Sequence, residues 1–348
     1  MATIKRNIRS LSFKELESYL SEKKFESFRA KQVNNWIWGN NPNRFSDMTN
    51  LPKSLINNLE SDFILKSLKI HETQKSVDKT IKIAFQLEDK TYTEGVLIPS
   101  EKRLTACISS QTGCPLGCKF CASGKITNYR NLEKYEIIEQ IFDLNDIAKD
   151  KYNNSLTNIV IMGIGEPLLN YDNVLWAINK IIAEWSWSPS RITLSTAGMI
   201  NEIYKLAKEK TGIKLAISLH SADQNKRTML MPINKKYPLE KLKKAITEFN
   251  KYSKKAVTLE YLMLKDINDS SADAKKLVLF CKGLNVKINL IEYNNTSEAK
   301  FKNSDSDTIN EFMKILTNNN IPVTLRKSKG KDIDAACGQL TGGYMPEK

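Results

Sequence analysis

The chain of 348 residues is 41% hydrophobic and 26% charged, which excludes a disordered or fibrous protein and allows a large core. Lys and Arg outnumber Asp and Glu by 53 to 39, and the net charge of +14 favours a polyanionic partner such as nucleic acid. No apolar run approaches the ~18 residues of a membrane span, and the N-terminus lacks the apolar region of a signal peptide. We therefore expect a cytoplasmic protein whose six cysteines serve metal binding or catalysis rather than a static disulfide framework.

The first 90 residues have the pattern of a small helical module. Ser12 and Glu15 form a capping-box pattern that opens a helix ending near Lys23. Two further helices are predicted at residues 28–38, ended by Gly39 in a left-handed conformation, and at residues 52–59. Residues 80–87 and 91–99 alternate like the strands of a hairpin. We predict an N-terminal accessory domain at residues 1–90 that includes the start of this hairpin.

From residue 103 onwards, apolar strand patterns alternate with helical patterns. Six strand–helix units predict an α/β fold, in which a parallel sheet covered by helices curls into a partial (βα)6 barrel over residues 91–340, followed by a tail at 341–348. The predicted strands are residues 104–109, 158–162, 191–195, 214–219, 257–264 and 287–293, with a last strand at 321–325. The predicted helices are residues 133–148, 171–184, 201–208, 239–251, 271–281 and 305–317.

Three cysteines form a CxxxCxxC run directly after the first predicted barrel strand. Cys114, Cys118 and Cys121 suit an iron–sulfur cluster, because cysteine thiolate is the standard ligand of such clusters. Three thiolates on a 4Fe–4S cluster leave one iron open to a small molecule. Structural zinc is the alternative, but zinc normally takes four ligands and the chain has only two histidines.

Small and polar residues follow several other predicted strands. These positions fall at carboxyl ends of strands, where βα barrels place their chemistry, although each residue alone also fits a turn, a cap or a structural role. The GxGE segment that contains Gly165 and Glu166 could present backbone donors and a carboxylate to a cofactor. The remaining positions are Ser195, Ser218, Leu219, His220 and Asn294.

The other three cysteines divide into two kinds. Cys281 ends an apolar helix face and fits a small core residue. Cys107 and Cys337 flank segments that should face the mouth of the barrel, although buried structural thiols are the alternative for both.

The CxxxCxxC run after a first barrel strand resembles the radical S-adenosylmethionine superfamily. Within it, the sequence resembles the RlmN family from about residue 11 to residue 340. Ile164 stands where that family usually has Met, a conservative exchange. Residues 28–33 and 48–51 resemble the family's N-terminal accessory domain. The segments that carry the main resemblance are residues 107–114, 163–170, 194–198, 217–220, 232–237 and 332–339.

The resemblance implies a methyltransferase that modifies carbon 2 of adenosine in 23S rRNA, in protein-free or early-assembly form, and in tRNA anticodon loops. It implies a 4Fe–4S cluster on the three clustered cysteines, two S-adenosylmethionine molecules per turnover and an electron donor such as flavodoxin. Cys337 would carry the methyl group, Cys107 would release the product through a transient disulfide, and Glu94 would accept a proton. The implied cofactor-binding residues are Gly165, Glu166, Ser195, Ser218, Leu219, His220 and Asn294.

Two alternatives remain open at this point. The related Cfr enzyme methylates carbon 8 of the same rRNA adenosine, but it resembles GEALAN where this chain has Gly-Glu-Pro-Leu-Leu-Asn at residues 165–170. A non-catalytic RNA-binding protein with a structural metal is the second alternative. Candidate RNA contacts are the basic run Arg326, Lys327, Lys329 and Lys331, and the N-terminal residues Arg29, Lys31, Trp36 and Trp38, whose aromatic rings also suit a core.

Overall fold

The computed structural model describes residues 5–126, 128–294 and 301–341. Most of the predicted C-terminal tail, residues 342–348, lies outside the described residues. None of the described helices is both long and apolar enough to cross a membrane.

The N-terminal module packs three helices beside a two-stranded parallel pair. Ser12 caps the first helix: its hydroxyl accepts from the Glu15 N–H at 3.2 Å, and the Glu15 carboxylate accepts from the Ser12 N–H at 2.7 Å, so the predicted capping box is confirmed. Leu16 and Leu20 bury one face of that helix. The elements are β1 (Arg6–Asn7), α1 (Phe13–Glu22), α2 (Phe28–Asn35), α3 (Lys53–Asp62) and β2 (Phe63–Ile64).

The predicted end of the second helix was wrong. Regular α-helix stops at Asn35 and continues as a π-helical turn over Trp36–Asn40. The left-handed residue is Asn41, not Gly39. Asn tolerates this conformation, and the Asn41 side chain is held by a hydrogen bond to Asp146 at 2.6 Å. Tertiary contacts therefore decide where the helix ends.

A buried ion pair joins the module to the rest of the molecule. Arg9 and Glu139 are both fully buried, with the guanidinium Nη1 3.4 Å from the carboxylate Oε1. Glu139 also accepts from the backbone N–H groups of Ser67 and Leu68 at 2.7 and 2.9 Å. Because a buried charge left without its partner is strongly destabilising, loss of either member should loosen this junction.

One ten-stranded sheet dominates the fold. Its strands lie side by side in chain order, from Lys69–Lys75 at one edge to Val323–Arg326 at the other. Neighbouring strands are antiparallel as far as Arg103–Ile108 and parallel from there on. The predicted α/β partial barrel is therefore confirmed, and the last predicted strand joins it in parallel. The strands are β3 (Lys69–Lys75), β4 (Ile81–Gln86), β5 (Tyr92–Ser100), β6 (Arg103–Ile108), β7 (Asn158–Ile161), β8 (Ile192–Thr196), β9 (Lys214–Ser218), β10 (Val257–Met263), β11 (Val286–Glu292) and β12 (Val323–Arg326).

Helices follow most of the parallel strands, and several of them bury one apolar face. In the third of them Ile200, Ile203 and Leu206 recur at helical spacing and are buried, as expected for a surface helix on a sheet. All seven residues of β10 are buried, so this strand is covered on both faces. The helices are α4 (Lys134–Tyr152), α5 (Tyr171–Glu184), α6 (Ile200–Glu209), α7 (Gln224–Leu230), α8 (Leu239–Tyr252), α9 (Ser271–Cys281) and α10 (Ser306–Asn318).

The sequence did not predict β3 or α7. The predicted hairpin is present as β4 and β5, but it continues through β3 on one side and pairs with β6 on the other. The three antiparallel strands therefore extend the barrel sheet. The domain boundary at residue 90 stays a prediction; it lies in the turn between β4 and β5, where Lys90 has a φ of 62°.

Candidate active site

The cysteine loop leaves the end of β6 and is fixed on both sides by backbone hydrogen bonds. The N–H of Lys119 donates to the carbonyl oxygen of Leu230 at the end of α7, at 2.9 Å. The N–H of Ala122 donates to the carbonyl oxygen of Gly338 at 2.8 Å. Gly117 has a φ of +62°, which lets the chain turn within the run. The loop thus lies between α7 and the segment that carries Cys337.

The structure brings the three clustered cysteines to one cavity of about 160 Å³. Burial raises the pKa of Cys114 to about 12 and also raises the pKa values of Cys118 and Cys121. Negative charge on a neighbouring cysteine raises each of these pKa values further; for Cys121 that neighbour is Cys337. Other predicted residues on the same cavity are Gly165, Glu166, Ser195, Ser218, His220 and Cys337.

The donor set and the cavity fit an iron–sulfur cluster with a polar small molecule beside it. Cysteine thiolates are the ligands that such clusters take. The lining of this cavity includes two buried polar atoms that have no hydrogen-bond partner within the described part of the chain, Glu260 Oε2 and the Tyr293 hydroxyl. Unpartnered buried polar atoms cost free energy, so these atoms indicate room for a polar ligand. Among the described residues no group of three or more His, Cys, Asp or Glu is arranged to hold a single metal ion, whereas cluster ligands need not converge on one point.

The GxGE turn after β7 requires its two glycines. A Cβ on Gly163 would lie 2.6 Å from Ser109 Oγ, and a Cβ on Gly165 would lie 2.6 Å from Gln111 Cβ. Gly165 also has a φ of +104°, which side chains rarely allow. The close approach lets the Glu166 N–H donate to Gln111 Oε1 at 2.8 Å. The turn is therefore packed directly against the residues that lead from β6 into the cysteine loop.

Glu166 is a buried carboxylate at the floor of the cavity. Its Oε2 accepts from the Ala197 N–H at 2.7 Å, and its Oε1 accepts from the Leu168 N–H at 3.1 Å. Burial raises its pKa to about 7, although these backbone donors oppose the rise. A group with a shifted pKa in a cavity is a candidate functional group, and each carboxylate oxygen can accept a further hydrogen bond from a ligand.

His220 presents a neutral ring to the cavity. Its Nδ1 accepts from the Leu262 N–H at 3.1 Å, so the ring hydrogen is assigned to Nε2. Burial lowers its pKa to about 3. The backbone is left-handed, with a φ of 54°, and the carbonyl accepts from Asn268 Nδ2 at 2.6 Å. This network fixes the ring at the end of β9.

Arg227, on α7, is a functional candidate that the sequence analysis missed. Its guanidinium is buried and donates to the carbonyl oxygens of Leu219, Ala197 and Ser218, at 3.1, 2.7 and 3.2 Å. Burial lowers its pKa to about 10, and negative charge on Cys118 opposes this effect. The side chain therefore joins the ends of β8 and β9 and places a positive charge behind the cysteine loop.

Cys107 and Cys337 line a second cavity of about 130 Å³, which shares Cys121 and Arg326 with the first. Cys107 is buried on β6 and Cys337 is exposed. Burial raises the pKa of Cys107 to about 12, whereas the positive charge of Arg326 opposes this rise. The pKa of Arg326 is raised, and the largest cause is the negative charge of the nearby Cys337. Arg326 therefore faces both thiols rather than standing on the surface with the lysines that follow it.

Three predicted site residues lie outside both cavities. Glu94 on β5 is buried, 3.5 Å from Lys82 Nζ, and accepts from the Thr341 N–H at 2.9 Å. Leu219 is in the core, where its N–H donates to the Glu260 carbonyl oxygen. Asn294 donates to the carbonyl oxygen of Cys337 at 3.3 Å, and its own buried Oδ1 accepts no hydrogen bond from the residues that the structure describes.

Sequence reasoning also missed Glu260 and Tyr293. Glu260 is the one charged residue of β10, a fully buried strand, and a carboxylate inside such a strand is a usable signal of a site. Burial raises its pKa, and Asn289 donates to its Oε1 at 3.1 Å. Tyr293, which follows β11, has no comparable signal in the sequence.

The comparisons with known proteins agree with this geometry. Residues 108–278 match the radical SAM superfamily, and residues 6–65 match the N-terminal domain of ribosomal RNA large subunit methyltransferases of the RlmN type. A protein of Cytophaga hutchinsonii, named a probable dual-specificity RNA methyltransferase RlmN, is 47% identical over 97% of this chain and 93% of its own length. A protein of Chlorobaculum tepidum with the same name is 44% identical over 96% of this chain and 92% of its own length. The chain belongs to the RlmN family.

A solved structure supports the same assignment. The crystal structure of a radical SAM methyltransferase from Sphaerobacter thermophilus has a TM-score of 0.93 and 36% sequence identity, covering 97% of this chain and 99% of that one. Membership of the radical SAM superfamily implies a 4Fe–4S cluster and S-adenosylmethionine as cofactors. For the RlmN family member described here, Cys114, Cys118 and Cys121 are the residues whose chemistry and placement fit the cluster.

Proposed function

We propose that the protein is a radical RNA methyltransferase that adds a methyl group to carbon 2 of adenosine in 23S rRNA and in tRNA. The observation that carries the proposal is that Cys107 and Cys337 share a cavity, next to the cavity of the three clustered cysteines. The names of the relatives support RNA as the substrate class, and so does the net charge of +14.

The chemistry of the substrate explains why two sets of cysteines are needed. Carbon 2 of adenine is electron-poor and cannot attack the sulfonium methyl group of S-adenosylmethionine, whereas a carbon radical can add to it. When bound, a 4Fe–4S cluster supplies the electron that cleaves S-adenosylmethionine to a 5′-deoxyadenosyl radical. Glu166, Ser195, Ser218 and His220 would hold this cofactor, with Gly165 shaping the turn that admits it. Leu219 would act through its backbone, which orients Ser218 and His220.

Cys337 is the proposed methyl carrier. Cys337 is exposed and lines both cavities. Its thiol could therefore react with a cofactor in the first cavity and with Cys107 in the second without a large movement of its segment. The thiolate takes the methyl group of a first S-adenosylmethionine by displacement. Methylated Cys337 would then lose one hydrogen atom to a radical derived from a second S-adenosylmethionine, and its carbon radical would add to the base, which joins Cys337 to RNA. Asn294, bonded to the Cys337 carbonyl oxygen, would hold the segment during this step.

Cys107 is the proposed resolving thiol. After the radical adduct has lost the carbon 2 proton and one electron, which an oxidised cluster would accept, the Cys107 thiolate attacks the sulfur of Cys337. The carbon–sulfur bond breaks with its electron pair on the RNA-bound carbon, which takes up a proton to become the methyl group, and a disulfide joins the two cysteines. The charge of Arg326 favours the thiolate of Cys107 against the effect of burial. A reducing cytoplasm then restores both thiols, with an electron donor such as flavodoxin supplying the radical step.

Glu94 is the proposed acceptor of the carbon 2 proton. Its carboxylate is buried between Lys82 and the N–H of Thr341. Contact between the carboxylate and a base would require the hydrogen bond from the Thr341 N–H to open. The adenine itself must leave its stack to reach the barrel mouth, which favours loops or unfolded RNA as substrates.

The test separates the two cysteine roles. Cys337→Ala removes the carrier, so no adduct should form. Cys107→Ala keeps the carrier and removes the resolving thiol, so the protein should accumulate as a conjugate with RNA through Cys337. The double variant should resemble Cys337→Ala. Cys281→Ala, at a buried helix position, is the matched control and should turn over normally.

The assay is a denaturing gel with and without nuclease, followed by mass analysis of the cross-linked peptide and of the nucleosides. Product 2-methyladenosine supports the proposal, and 8-methyladenosine would assign the protein to the other regiochemistry. Normal turnover of Cys107→Ala without attached RNA would show that the mechanism is wrong.

A further inference from the structure

The segment that carries Cys337 is tied to a hairpin at the far edge of the sheet. We call residues 327–340 the Cys337 loop; it follows β12, one edge strand. The Asp332 carboxylate accepts from the Ser76 hydroxyl at 2.5 Å and from the Val77 N–H at 3.0 Å. Ser76 and Val77 lie in the turn between β3, the opposite edge strand, and β4. These hydrogen bonds therefore join the two edges of the open barrel.

A second contact joins the same two segments, but here the donor is in the Cys337 loop and the acceptor is in the turn. The Asp78 carboxylate, in the turn, accepts from the Gly330 N–H, in the Cys337 loop, at 2.9 Å. Gly330 has a φ of +68°, and a Cβ there would lie 2.8 Å from Ala335 Cβ and 3.0 Å from Thr80 Cγ2. Only glycine fits this crossing. We call the contacts of Asp332 and Asp78 across the two segments the edge clasp.

The edge clasp is charged and anchored. Hydrogen bonds to a carboxylate are stronger than those between neutral groups. The hydrogen bond from Ser76 and then that from the Val77 N–H lower the pKa of Asp332, so the carboxylate is ionised at neutral pH. The turn is itself held to the barrel, because the Tyr152 hydroxyl at the end of α4 donates to the Lys79 carbonyl oxygen. The clasp thus ties the Cys337 loop to a fixed point.

The Cys337 loop is also held on the other side of the thiol. The carbonyl oxygen of Gly338 accepts from the Ala122 N–H at 2.8 Å, and that of Leu340 accepts from the Ser123 hydroxyl at 2.6 Å. Cys337 lies between these bonds and the edge clasp and is itself exposed. A loop fixed at both ends keeps its thiol within a short range, which raises the effective concentration of the thiol at its reaction partners.

We propose that Asp332, through the edge clasp, is a positioning residue for Cys337 and holds that thiol within reach of Cys107. The inference rests on the proposed function, in which these two thiols form a disulfide. The two edges of the sheet are separated by eight other strands in the part of the chain that the structure describes, so strand pairing does not bring the β3–β4 turn to the Cys337 loop, whereas the clasp joins them. Ala335 and Leu340 of the same loop also pack in an apolar cluster with Val96 and Cys107, and the clasp adds a polar connection on the other side of the loop.

The test measures the disulfide equilibrium of the full-length protein, without RNA or turnover. In a glutathione buffer the thiols of Cys107 and Cys337 are oxidised to one disulfide, while one glutathione disulfide is reduced to two glutathione molecules. After acid quench and alkylation, mass spectrometry of the joined peptides gives the effective concentration of the two thiols. Asp332→Asn keeps the shape but removes the charge and offers an amide N–H₂ where an acceptor is needed. Ser76→Ala removes one donor and keeps the carboxylate.

We expect Asp332→Asn to lower the effective concentration roughly tenfold, since it removes charge-assisted hydrogen bonds, and Ser76→Ala to lower it less. Glu101→Gln, an exposed carboxylate in the turn between β5 and β6, is the matched control and should change nothing. Hydrogen exchange at the Val77 and Gly330 amides reports clasp opening separately. An unchanged or higher effective concentration, together with faster exchange at those amides, would overturn the proposal.

Two further results distinguish a failure of this inference from a failure of the proposed function. If Asp332→Asn does not fold, the effective concentration of the two thiols in Ser76→Ala, together with its hydrogen exchange at Val77 and Gly330, tests the positioning role alone. If Cys107→Ala carries no RNA conjugate, the proposed mechanism fails, while the disulfide equilibrium still decides whether the clasp positions Cys337. If the proposed mechanism and the positioning role of Asp332 are both correct, cluster-loaded Asp332→Asn should accumulate more protein–RNA conjugate than the parent protein, with its iron content unchanged.

Discussion

The ring of Phe120 meets the imidazole of His220 edge to face, with ring centroids 4.6 Å apart and planes inclined by 78°. Phe120 directly precedes Cys121, so the contact joins the cysteine loop to the end of β9. Edge-to-face pairs contribute beyond their buried area. The neutral imidazole therefore belongs both to the wall of the cavity and to the packing that stabilises it.

The buried His220 should make folding stability depend on pH. Its pKa is about 3 in the folded protein and about 6.5 in an unfolded chain, so between these values only the unfolded state binds the proton. Stability should therefore fall as the pH falls below about 6.5, by at most about 1.4 kcal/mol per pH unit from this group. Urea unfolding at pH 7.5 and pH 5.5 measures this change in the free energy of unfolding. His220→Asn, which can keep the acceptor for Leu262, should flatten the slope; His71→Asn is the control and should retain it.

Each of the three clustered thiols should be indispensable. Replacing Cys114, Cys118 or Cys121 by Ala leaves too few ligands, so iron, labile sulfide and the broad visible absorbance should all be lost together with methylation. Cys281→Ala should retain all of them. Full methylation by any one of the three variants would contradict the radical assignment.

Adding one methyl group to the GxGE turn should disrupt the site. Gly165→Ala meets Gln111 and an unfavourable φ, and the backbone strain alone costs about 1–3 kcal/mol. We expect a lower melting temperature and a larger loss of reductive S-adenosylmethionine cleavage, because Glu166 moves with the turn. Gly39→Ala, where a Cβ meets nothing within 4 Å, is the control. Equal effects of the two variants would show that packing at Gly165 is unimportant.

Removing the charge of Arg227 should lower the reduction potential of the cluster. Reduction adds an electron, and a buried positive charge behind Cys118 stabilises the reduced form. Arg227→Gln should shift the potential downwards by on the order of 50 mV, measured by a redox titration followed by electron paramagnetic resonance. Arg191→Gln, at an exposed position, should leave the potential unchanged. An unshifted potential in an iron-loaded Arg227→Gln protein would limit Arg227 to a structural role.

The exposed lysines of the Cys337 loop should contribute to RNA binding. Lys327 and Lys329 are exposed, whereas Lys331 pairs with Glu292 at 2.9 Å and Arg326 faces the thiols. Replacing Lys327 and Lys329 by Ser should weaken binding and reduce the salt slope by up to about 2, because each phosphate contact releases about one counterion. Cleavage of S-adenosylmethionine should survive. Lys241 and Lys275, exposed on α8 and α9, give the control pair. An unchanged slope would place the RNA surface elsewhere, first in the N-terminal module.

Local signals were enough to predict most of the barrel and the cysteine loop. The spacing of Cys114, Cys118 and Cys121 is local, and so is the alternation of strands and helices, with α5 and α9 ending at the predicted residues. The pairing of Cys107 with Cys337 in one cavity came from the resemblance to a family, since no local pattern joins residues so far apart.

What could not be predicted depends on tertiary contacts between polar residues. The short helix α7 has a polar sequence around Arg227, and such a pattern indicates a surface turn rather than a side chain buried among carbonyl groups. The edge clasp is equally hidden, because Asp332 and Ser76 resemble ordinary surface residues until the sheet curls. β3 escaped prediction because Lys, His, Glu, Thr and Gln dominate it and little of it is buried.

That polar strand has a consequence for how molecules of this protein behave towards one another. Among the described strands, β3 forms one edge of the ten-stranded sheet, and an exposed edge can pair with a strand of another chain. Lys69, His71 and Lys75 project charge or polarity along it, and a bulge between Ile70 and Glu72 breaks its register. Both features oppose intermolecular strand addition, so the extension that brings the turn to Cys337 also guards the sheet against aggregation.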